Sequence, residues 1–417
     1  MPDSTRAPRL LVCTDTYPPQ VNGVSVVTSL SVAGLSARGW EVTVAGPRYP
    51  REMRDAFGPG AGRAGTREML LLPSAPLPFY PDIRLSVPNA YALSRFIDGF
   101  APDLIHCATE FSIGWLGQAL ARRRGLRVVT SYHTDFSRYT EAYGMAWLRP
   151  TVSRHLARFH GRAIRTYTPS APAKADLLAM GVADVEVWGR GVDIETFHPR
   201  HRSEPLRAAY GRRDSVIFLH VGRLAAEKGV ERILAAFALT RAQLPEGSVH
   251  LVIAGAGPRA DALRAHNMTE DVTFLGNLDR QSVLPRLYAS ADAFLFSSLT
   301  ETLGLVVLEA MASGLPVIAT PAGGVADHLR DGVNGIAYPP GDITAMAHAM
   351  VSLALDRDRR VALGAGARRS AETLSWEWEL DRLDESYREI CDTPLDHAAP
   401  ALPPFAAPAL PPFAVSA

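Results

Sequence analysis

The segment SSLTETLGLVVLEAMASGLPVIAT spans residues 297–320 and carries two glutamates, Glu301 and Glu309, eight positions apart. It reads as a polar loop after an apolar strand, a short helix opening near Gly304, a Gly-Leu-Pro stop and another strand. Glu309 falls in the second turn of that helix, and Glu301 lies just ahead of its unpaired backbone N–H groups, which attract anions. The spacing suits a sugar nucleotide, whose phosphates lie between two hydroxyl-bearing groups; the alternative is a capped helix with two solvated glutamates.

Apolar strands alternate with helical stretches along the whole chain, an order typical of α/β folds with doubly wound parallel sheets. In the first half, strands are predicted at 10–14, 41–45, 69–72, 104–107, 128–132, 166–168 and 185–188. In the second half they are predicted at 216–221, 249–254, 272–275, 293–296, 316–319 and 335–338. Intervening helices include those predicted at 24–37, 230–239 and 344–354.

The length of 417 residues exceeds what one hydrophobic core usually serves, so two domains are predicted. Their boundary is placed in the polar, proline-bearing segment FHPRHRSEP. A last amphipathic helix, a Gly- and Arg-rich surface loop and a Pro/Ala-rich tail complete the organisation. The predicted parts are an N-terminal domain at 1–199, a C-terminal domain at 200–375, a crossover helix at 376–391, a mobile loop at 54–66 and a disordered tail at 392–417.

Composition excludes some classes of protein. The 43 Lys and Arg residues balance 43 Asp and Glu residues, so no global field favours nucleic acid, and any anion site must be local. Three cysteines cannot all pair within the chain, and Cys13 and Cys107 lie in apolar strands, which indicates reduced thiols. No apolar run approaches a signal sequence or a bilayer span. We therefore expect a cytoplasmic protein.

Charged and glycine-containing motifs follow several predicted strands, at the sheet edge where α/β folds bind ligands. Arg223 and Lys228 follow the strand at 216–221 and can neutralise a diphosphate, although solvated loop charges are the alternative. His133 follows a β-branched strand; a lone histidine is usually a structural residue. Gly23 ends the first loop, where the missing Cβ permits close approach of a ligand, and a plain tight turn is the competing interpretation.

Taken together, these motifs resemble the retaining glycosyltransferases of family four (group 1), and residues 297–320 resemble the E-x7-E signature of that family. The resemblance covers roughly residues 9–391. It rests further on DTYPPQVNGV at 15–24, SYHTD at 131–135, WGRGVD at 188–193, FHP at 197–199, VGRLAAEKG at 221–229 and IAGAGP at 253–258. The loop PPQVNG most resembles the branch that makes glycolipids and mannosylated lipids. The fold implied is GT-B: two Rossmann-like domains with parallel sheets facing across a cleft, and a C-terminal helix crossing back.

The resemblance also implies residue roles. Arg223 and Lys228 would hold the departing diphosphate, and Glu301 would bind hydroxyls of the donor sugar. His133 would contact that sugar or its phosphate. The nucleotide would contact Gly23, Gly222, Gly276, the N–H groups of Leu303 and Gly304, and Glu309, whose carboxylate would bind the ribose. Many relatives have Phe at the position of Leu303, so the packing on the sugar side departs from the pattern.

No metal or other cofactor is expected, since the family is thought to transfer by front-side attack, with the leaving phosphate taking the acceptor proton. Catalysis then needs mainly positioning and charge stabilisation. The sequence Asp356-Arg-Asp358 has the letters of a metal-binding D-x-D motif. We interpret it as a solvated helix face, because it is far from any predicted strand end.

The predicted function is retaining transfer of a mannose- or glucose-type hexose from a GDP- or UDP-sugar to an acceptor hydroxyl. The predicted acceptor is a glycolipid at the inner face of the membrane, because basic residues at 122–124 and from Val152 to Arg165 lie in the acceptor-side domain. A soluble aminocyclitol or other secondary-metabolite core is the alternative acceptor.

Two other classes of function stay open at this point. GAGPRA at 255–260 has the form of a dinucleotide fingerprint, which raises an NAD-dependent oxidoreductase. The next strand, however, ends in Leu-Gly-Asn rather than in an acid that could grip a ribose, and the paired glutamates have no role in hydride transfer. A catalytically silent nucleotide-sugar-binding protein is the third possibility. Against it, the charged residues that the motifs require are all present.

Overall fold

The computed structural model describes residues 6–20, 22–56, 65–77, 80–210, 214–266 and 269–394. The predicted tail from 395 onward and residues 57–64 of the predicted loop lie outside these ranges. Residues 54–56 belong to a helix rather than to the loop in which they were predicted.

Seven parallel strands form the first sheet, in the order β3-β2-β1-β6-β7-β8-β9. β4 and β5 form a separate antiparallel hairpin that the sequence did not predict, because its prolines argue against a strand. The strands of this half are β1 (Arg9–Cys13), β2 (Glu41–Pro47), β3 (Thr66–Leu72), β4 (Ser74–Leu77), β5 (Tyr80–Ser86), β6 (Leu104–Cys107), β7 (Arg127–Ser131), β8 (Arg165–Thr168) and β9 (Val185–Val187).

Helices connect these strands, and polar residues begin most of them. The Asn22 side chain accepts a hydrogen bond from the Ser25 N–H at 2.8 Å and caps the first helix. The helices of this half are α1 (Gly23–Ala37), α2 (Arg51–Ala56), α3 (Ala90–Phe100), α4 (Ser112–Arg123), α5 (Phe136–Ala142), α6 (Arg149–His160) and α7 (Ala171–Ala179). A 3₁₀ turn, Ala146–Leu148, joins α5 to α6.

Six parallel strands form the second sheet, in the order β12-β11-β10-β13-β14-β15. They are β10 (Val216–Val221), β11 (Val249–Ala254), β12 (Val272–Gly276), β13 (Ala293–Phe296), β14 (Val317–Ala319) and β15 (Gly335–Ala337). Residues on β10 and β11 are buried throughout, as expected for strands covered on both faces. The helices are α8 (Glu204–Ala208), α9 (Val230–Arg241), α10 (Ala260–His266), α11 (Leu284–Ser290), α12 (Leu305–Ala312), α13 (Ile343–Leu355) and α14 (Arg357–Glu372).

The last helix, α15 (Trp376–Asp392), returns to the first sheet as predicted. Its apolar residues recur at helical spacing, and Leu383 and Tyr387 are fully buried in the core of the first sheet. The Trp40 indole donates to Asp384 at 2.6 Å, and the Trp188 indole donates to the Glu379 carbonyl at 2.6 Å. This helix therefore holds the two halves of the chain together.

In each sheet the strand order reverses at one point, between β1 and β6 in the first and between β10 and β13 in the second. Loops diverge at such switch points, and α/β folds bind ligands there. The carboxyl edges of the two sheets meet: the Tyr143 hydroxyl donates to Glu227 at 2.9 Å, and the Ala171 N–H donates to Asp327 at 2.8 Å. The structure thus presents a cleft between two switch points.

Candidate active site

The loop after β10 carries Arg223 and Lys228 and is held by the loop after β13. Lys228 ends a 3₁₀ turn, and Gly229 then adopts a left-handed conformation before α9. The Ser297 hydroxyl lies 2.8 Å from the carbonyl oxygens of both Lys228 and Gly229. Arg232 in turn donates to the Ser297 carbonyl at 2.8 Å. The two loops that flank the switch point therefore form one unit.

Two of the predicted site residues contact each other. The Lys228 ammonium forms an ion pair with the Glu301 carboxylate, and the two side chains are 17% and 16% exposed. They come together because β10 and β13 are neighbours in the sheet although their loops lie far apart in the sequence. Arg223, half-buried, lies in the same loop as Lys228. Two cations and a carboxylate thus line the switch point of the second sheet.

A pair of glycines that the sequence reasoning missed supports the Glu301 loop. The Gly324 N–H donates to the Glu301 carbonyl at 2.7 Å. A Cβ on Gly323 would lie 2.1 Å from the Glu301 carbonyl oxygen, and one on Gly324 would lie 2.1 Å from that of Thr302. Only glycine permits this approach. The Gly-Gly pair just after the strand at 316–319 was the available signal in the sequence.

Helix α12 begins beside this loop at Gly304, whose φ of 78° is left-handed. Within the described residues no side chain caps this helix, so its first turn keeps N–H groups for an anion. The Leu303 side chain packs in the hydrophobic core. The position at which many relatives have Phe is therefore a core position here, and it is the backbone of Leu303 and Gly304 that can face a ligand.

Glu309 lies in the second turn of α12, as predicted, but its carboxylate is engaged within the protein. The residue is 2% exposed, and Arg280 donates to its Oε1 from Nε at 2.9 Å and from Nη2 at 2.6 Å. The Tyr288 hydroxyl donates to Oε2 at 3.2 Å. Burial raises the pKa of this carboxyl, and Arg280 opposes the rise. Contact with a ribose requires another orientation of Glu309 and stays a prediction.

His133 follows β7 and brings the first sheet to the Glu301 loop, because its carbonyl accepts a hydrogen bond from the Thr302 hydroxyl. The surrounding protein desolvates the imidazole, and His160 repels its charge, so that the pKa of His133 is lowered to about 4. The ring is therefore neutral near pH 7 and can take part in hydrogen bonds without adding a charge. Thr302, between the two glutamates, was not singled out from the sequence.

The predicted glycine contacts lie on both sides of the cleft. Gly23 is the exposed first residue of α1, on the side of the first sheet. Gly222 follows β10 and Gly276 ends β12, on the side of the second. The glycine turn at 255–257 packs against the Arg223 loop, since the Leu224 N–H donates to the Ala256 carbonyl at 2.9 Å. Gly222 and Gly276 thus lie at carboxyl ends of strands, whereas Gly23 lies at the start of a helix.

The basic stretch from Val152 to Arg165 is only partly a surface feature. His160 is fully buried, 3.3 Å from Glu110 and 3.0 Å from the Thr130 hydroxyl. Arg165 forms ion pairs with Asp184 and Glu186 at β9 and with Glu389 on α15. His160 and Arg165 are therefore engaged within the protein, and only part of the basic stretch faces outward. At 122–124, Arg124 pairs with Asp98 at 2.7 Å.

A mixed apolar and basic surface remains next to the cleft, formed by the end of α5, the 3₁₀ turn and α6. Tyr143, Met145 and Trp147 are exposed, Trp147 by 76%. Arg154 and Arg158 are exposed on α6, one helical turn apart. We call this set of five residues the α5–α6 surface. None of the described helices is both long and apolar enough to cross a bilayer.

The Asp356-Arg-Asp358 motif has a structural role. The Asp356 side chain accepts a hydrogen bond from the Arg359 N–H at 2.9 Å and caps α14. This agrees with the interpretation of the motif as part of a helical segment, although it marks a junction between two helices.

Family signatures match both halves of the chain. One described as "Glycosyltransferase Family 4" matches residues 21–196, and one described as "Glycosyl transferases group 1" matches residues 215–356. Together they span every described strand of the two large sheets except β1.

Relatives with assigned activities are similar over most of the chain. A GDP-mannose-dependent alpha-mannosyltransferase of Mycobacterium tuberculosis is 33% identical over 92% of this chain and 97% of its own length. The alpha-monoglucosyldiacylglycerol synthase of Streptococcus pneumoniae is 31% identical over 75% of this chain and 70% of its own. The sulfoquinovosyl transferase SQD2 of Arabidopsis thaliana is 33% identical over 73% of this chain, a match that spans only 60% of that protein.

Among solved structures, HepE of Anabaena in complex with UDP and glucose superposes with a TM-score of 0.72. The superposition covers 92% of this chain and 100% of that one, at 18% identity. Such a likeness shows the fold, and it confirms the predicted GT-B arrangement of two sheets across a cleft.

Proposed function

Since the chain belongs to the family 4 glycosyltransferases (group 1), we propose that it transfers a hexose from a nucleoside-diphosphate sugar to an acceptor hydroxyl, with retention at the anomeric carbon. The observation that carries the proposal is the contact between Lys228 and Glu301 at the switch point. A cation suited to a diphosphate there adjoins a carboxylate suited to sugar hydroxyls. The NAD-dependent oxidoreductase, by contrast, is not supported by the relatives.

In the proposed reaction, Arg223 and Lys228 stabilise the negative charge that develops on the departing diphosphate. The N–H groups of Leu303 and Gly304 add to this stabilisation at the start of α12. Glu301 orients the sugar through its hydroxyls. His133, neutral at pH 7, contacts the sugar or its phosphate by hydrogen bonds. The acceptor hydroxyl attacks the anomeric carbon on the same face from which the diphosphate departs. The leaving phosphate accepts the proton of that hydroxyl.

The proposed donor is GDP-mannose. Support comes from the printed activity of the mannosyltransferase that matches along nearly the full length of both chains. UDP-glucose is the second candidate. Both sugar nucleotides have the same diphosphate, and they differ only in the nucleoside at one end and the hexose at the other. Titration calorimetry with GDP, UDP, GDP-mannose, UDP-glucose and NAD tests the assignment. Binding of NAD alone would contradict it, and NMR of the product anomer tests retention.

The proposed acceptor is a glycolipid, reached by peripheral attachment at the inner face of the membrane. The name of the diacylglycerol glycolipid synthase supports a lipid acceptor. The α5–α6 surface supports the attachment, since exposed aromatic and basic side chains together suit a lipid–water interface. The balanced net charge favours a soluble acceptor instead. Assays with lipid extract and with a water-soluble aminocyclitol separate the two acceptors.

A further inference from the structure

The ion pair between Lys228 and Glu301 joins two groups that the proposed function assigns to different parts of the donor. Lys228 would bind the diphosphate and Glu301 the sugar. Each side chain is about one-sixth exposed, so neither is freely solvated once the pair separates. The affinity of a ligand therefore depends on which hydrogen-bond partners it offers to Lys228 and to Glu301 after their ion pair has separated.

The backbones of both residues are held, so the pair cannot separate by loop movement at little cost. The Lys228 loop is fastened through Ser297 and Arg232, and the Glu301 loop through Gly324. The Thr302 hydroxyl adds a contact to His133 across the cleft. A ligand must therefore compete for the Lys228 ammonium with Glu301 still close by.

Two ligands meet this competition differently. The diphosphate of an intact nucleotide sugar binds Lys228, and the sugar hydroxyls of the same ligand donate new hydrogen bonds to Glu301. A nucleoside diphosphate binds Lys228 in the same way but offers Glu301 no sugar hydroxyls to replace the lost ion pair. The spent nucleotide therefore bears a penalty that the donor does not.

We propose that Glu301 selects the intact nucleotide sugar against the nucleoside diphosphate product and so favours product release. This inference rests on the proposed function, because it takes the donor to be a nucleoside-diphosphate sugar. The specificity comes from the Glu301 carboxylate, which loses its ion pair when Lys228 binds a diphosphate. This loss disfavours the nucleoside diphosphate, because that ligand brings no sugar hydroxyls to the carboxylate.

The test is Glu301→Gln, which removes the charge but keeps the shape and a hydrogen-bonding amide. Calorimetry with GDP, UDP and their mannose and glucose derivatives gives the dissociation constants. We expect the variant to bind the nucleoside diphosphate about tenfold more tightly and the intact donor no more tightly than the wild type does. The preference for the donor should fall accordingly.

A matched control is Glu231→Gln. This glutamate lies three residues after Lys228, is 41% exposed and pairs with Arg259. The substitution removes the same charge from the same region. We expect it to change neither the affinity for the nucleoside diphosphate nor that for the intact donor. Lys228→Ala, alone and with Glu301→Gln, completes a double-mutant cycle. Without Lys228 the gain from Glu301→Gln should vanish.

The outcomes separate the two proposals. If the wild type binds neither nucleoside diphosphate nor nucleotide sugar, the proposed function is wrong. If it binds both, and Glu301→Gln leaves diphosphate affinity unchanged or raises it equally without Lys228, only the present inference is overturned. Thermal melting of each variant checks the fold. If the glutamine variant is unstable, Glu301→Ala replaces it, and the same dissociation constants are measured.

Discussion

At Glu301 and Glu309 the same side chain meets two different surroundings. Glu301 is partly exposed at the cleft and shares its carboxylate with Lys228. Glu309 is buried, and Arg280 and Tyr288 bind its oxygens. A partly hydrated carboxylate can exchange partners for sugar hydroxyls at moderate cost, whereas a buried one must first be separated from an arginine. The two acids of the motif therefore differ in how readily they reach a ligand.

Removing a cation at the switch point should slow the reaction. We expect Arg223→Ala or Lys228→Ala to lower turnover by roughly 100-fold or more, on the order of 3 kcal/mol of leaving-group stabilisation. Steady-state kinetics and thermal melting measure turnover and fold. Arg241→Ala is the control, because this arginine pairs with Asp271 at the far end of α9. Wild-type turnover in either cleft variant would remove that residue from the mechanism.

Stability should fall as the pH drops below neutral. Burial lowers the pKa of four histidines, to about 3 for His106 and about 4 for His133, His220 and His328. Between pH 6.5 and 4 the unfolded chain binds protons that the folded chain does not, so the free energy of unfolding decreases with falling pH. Each histidine contributes a slope of about 1.4 kcal/mol per pH unit at most.

Urea unfolding at pH 7, 6 and 5 measures this slope. The buried acids Asp15 and Glu309 have raised pKa values and contribute with the opposite sign, so the wild-type slope is a difference. His220→Gln isolates one contribution: the variant should lose stability less steeply than the wild type between pH 6.5 and 5. Parallel slopes would show that His220 does not hold a lowered pKa.

Among the elements, α6 shows how one helix serves two environments. Leu156, Phe159 and His160 face the core, while Arg154 and Arg158 face outward. The turn before it leaves Trp147 exposed. This arrangement suits contact with a lipid surface. The Trp147 indole can enter the interface, while Arg154 and Arg158 contact anionic headgroups.

Sedimentation with anionic liposomes tests this element. We expect the protein to sediment with the vesicles at low salt and less at high salt, since each arginine near the surface contributes about 1 kcal/mol that salt screens. Trp147→Ala and Arg158→Ala should each weaken binding severalfold. Trp378→Ala is the matched control, an exposed tryptophan on α15. Protein that stays in the supernatant at low salt, with sugar transferred to a soluble alcohol, would refute the lipid acceptor.

At the scale of the whole molecule, the site is assembled from both sheets. Contacts from Thr302 to His133 and from Tyr143 to Glu227 cross the cleft, and α15 joins the second half of the chain to the core of the first. Movements of one half against the other therefore change the site directly, as expected where a ligand binds between two domains.

The charges assembled in this way lead to a prediction about metals. Because Arg223 and Lys228 can supply the positive charge that a diphosphate needs, we expect transfer to proceed in excess EDTA. Initial rates with and without chelator measure this. Readdition of Mg²⁺ or Mn²⁺ after chelation is the control. Activity that is lost in EDTA and restored by either cation would reveal a cation site.

Local patterns in the sequence determined the fold class, most strand positions and the glutamate spacing. A buried parallel strand is a short apolar run, and Gly304 and the Gly-Leu-Pro stop mark where α12 begins and ends. Such features depend on neighbouring residues, so they can be read along the chain. The resemblance of the motifs to family 4 then identified the family.

Only the tertiary structure decided which side chains meet. The pairing of Lys228 with Glu301 follows from β10 lying beside β13, and that of Glu309 with Arg280 from the packing of α12. The burial of His160 and the fit of Gly323 against the Glu301 backbone have the same origin. These contacts join residues distant in the sequence, and no local periodicity encodes them; they depend on strand order and on how helices cover the sheets.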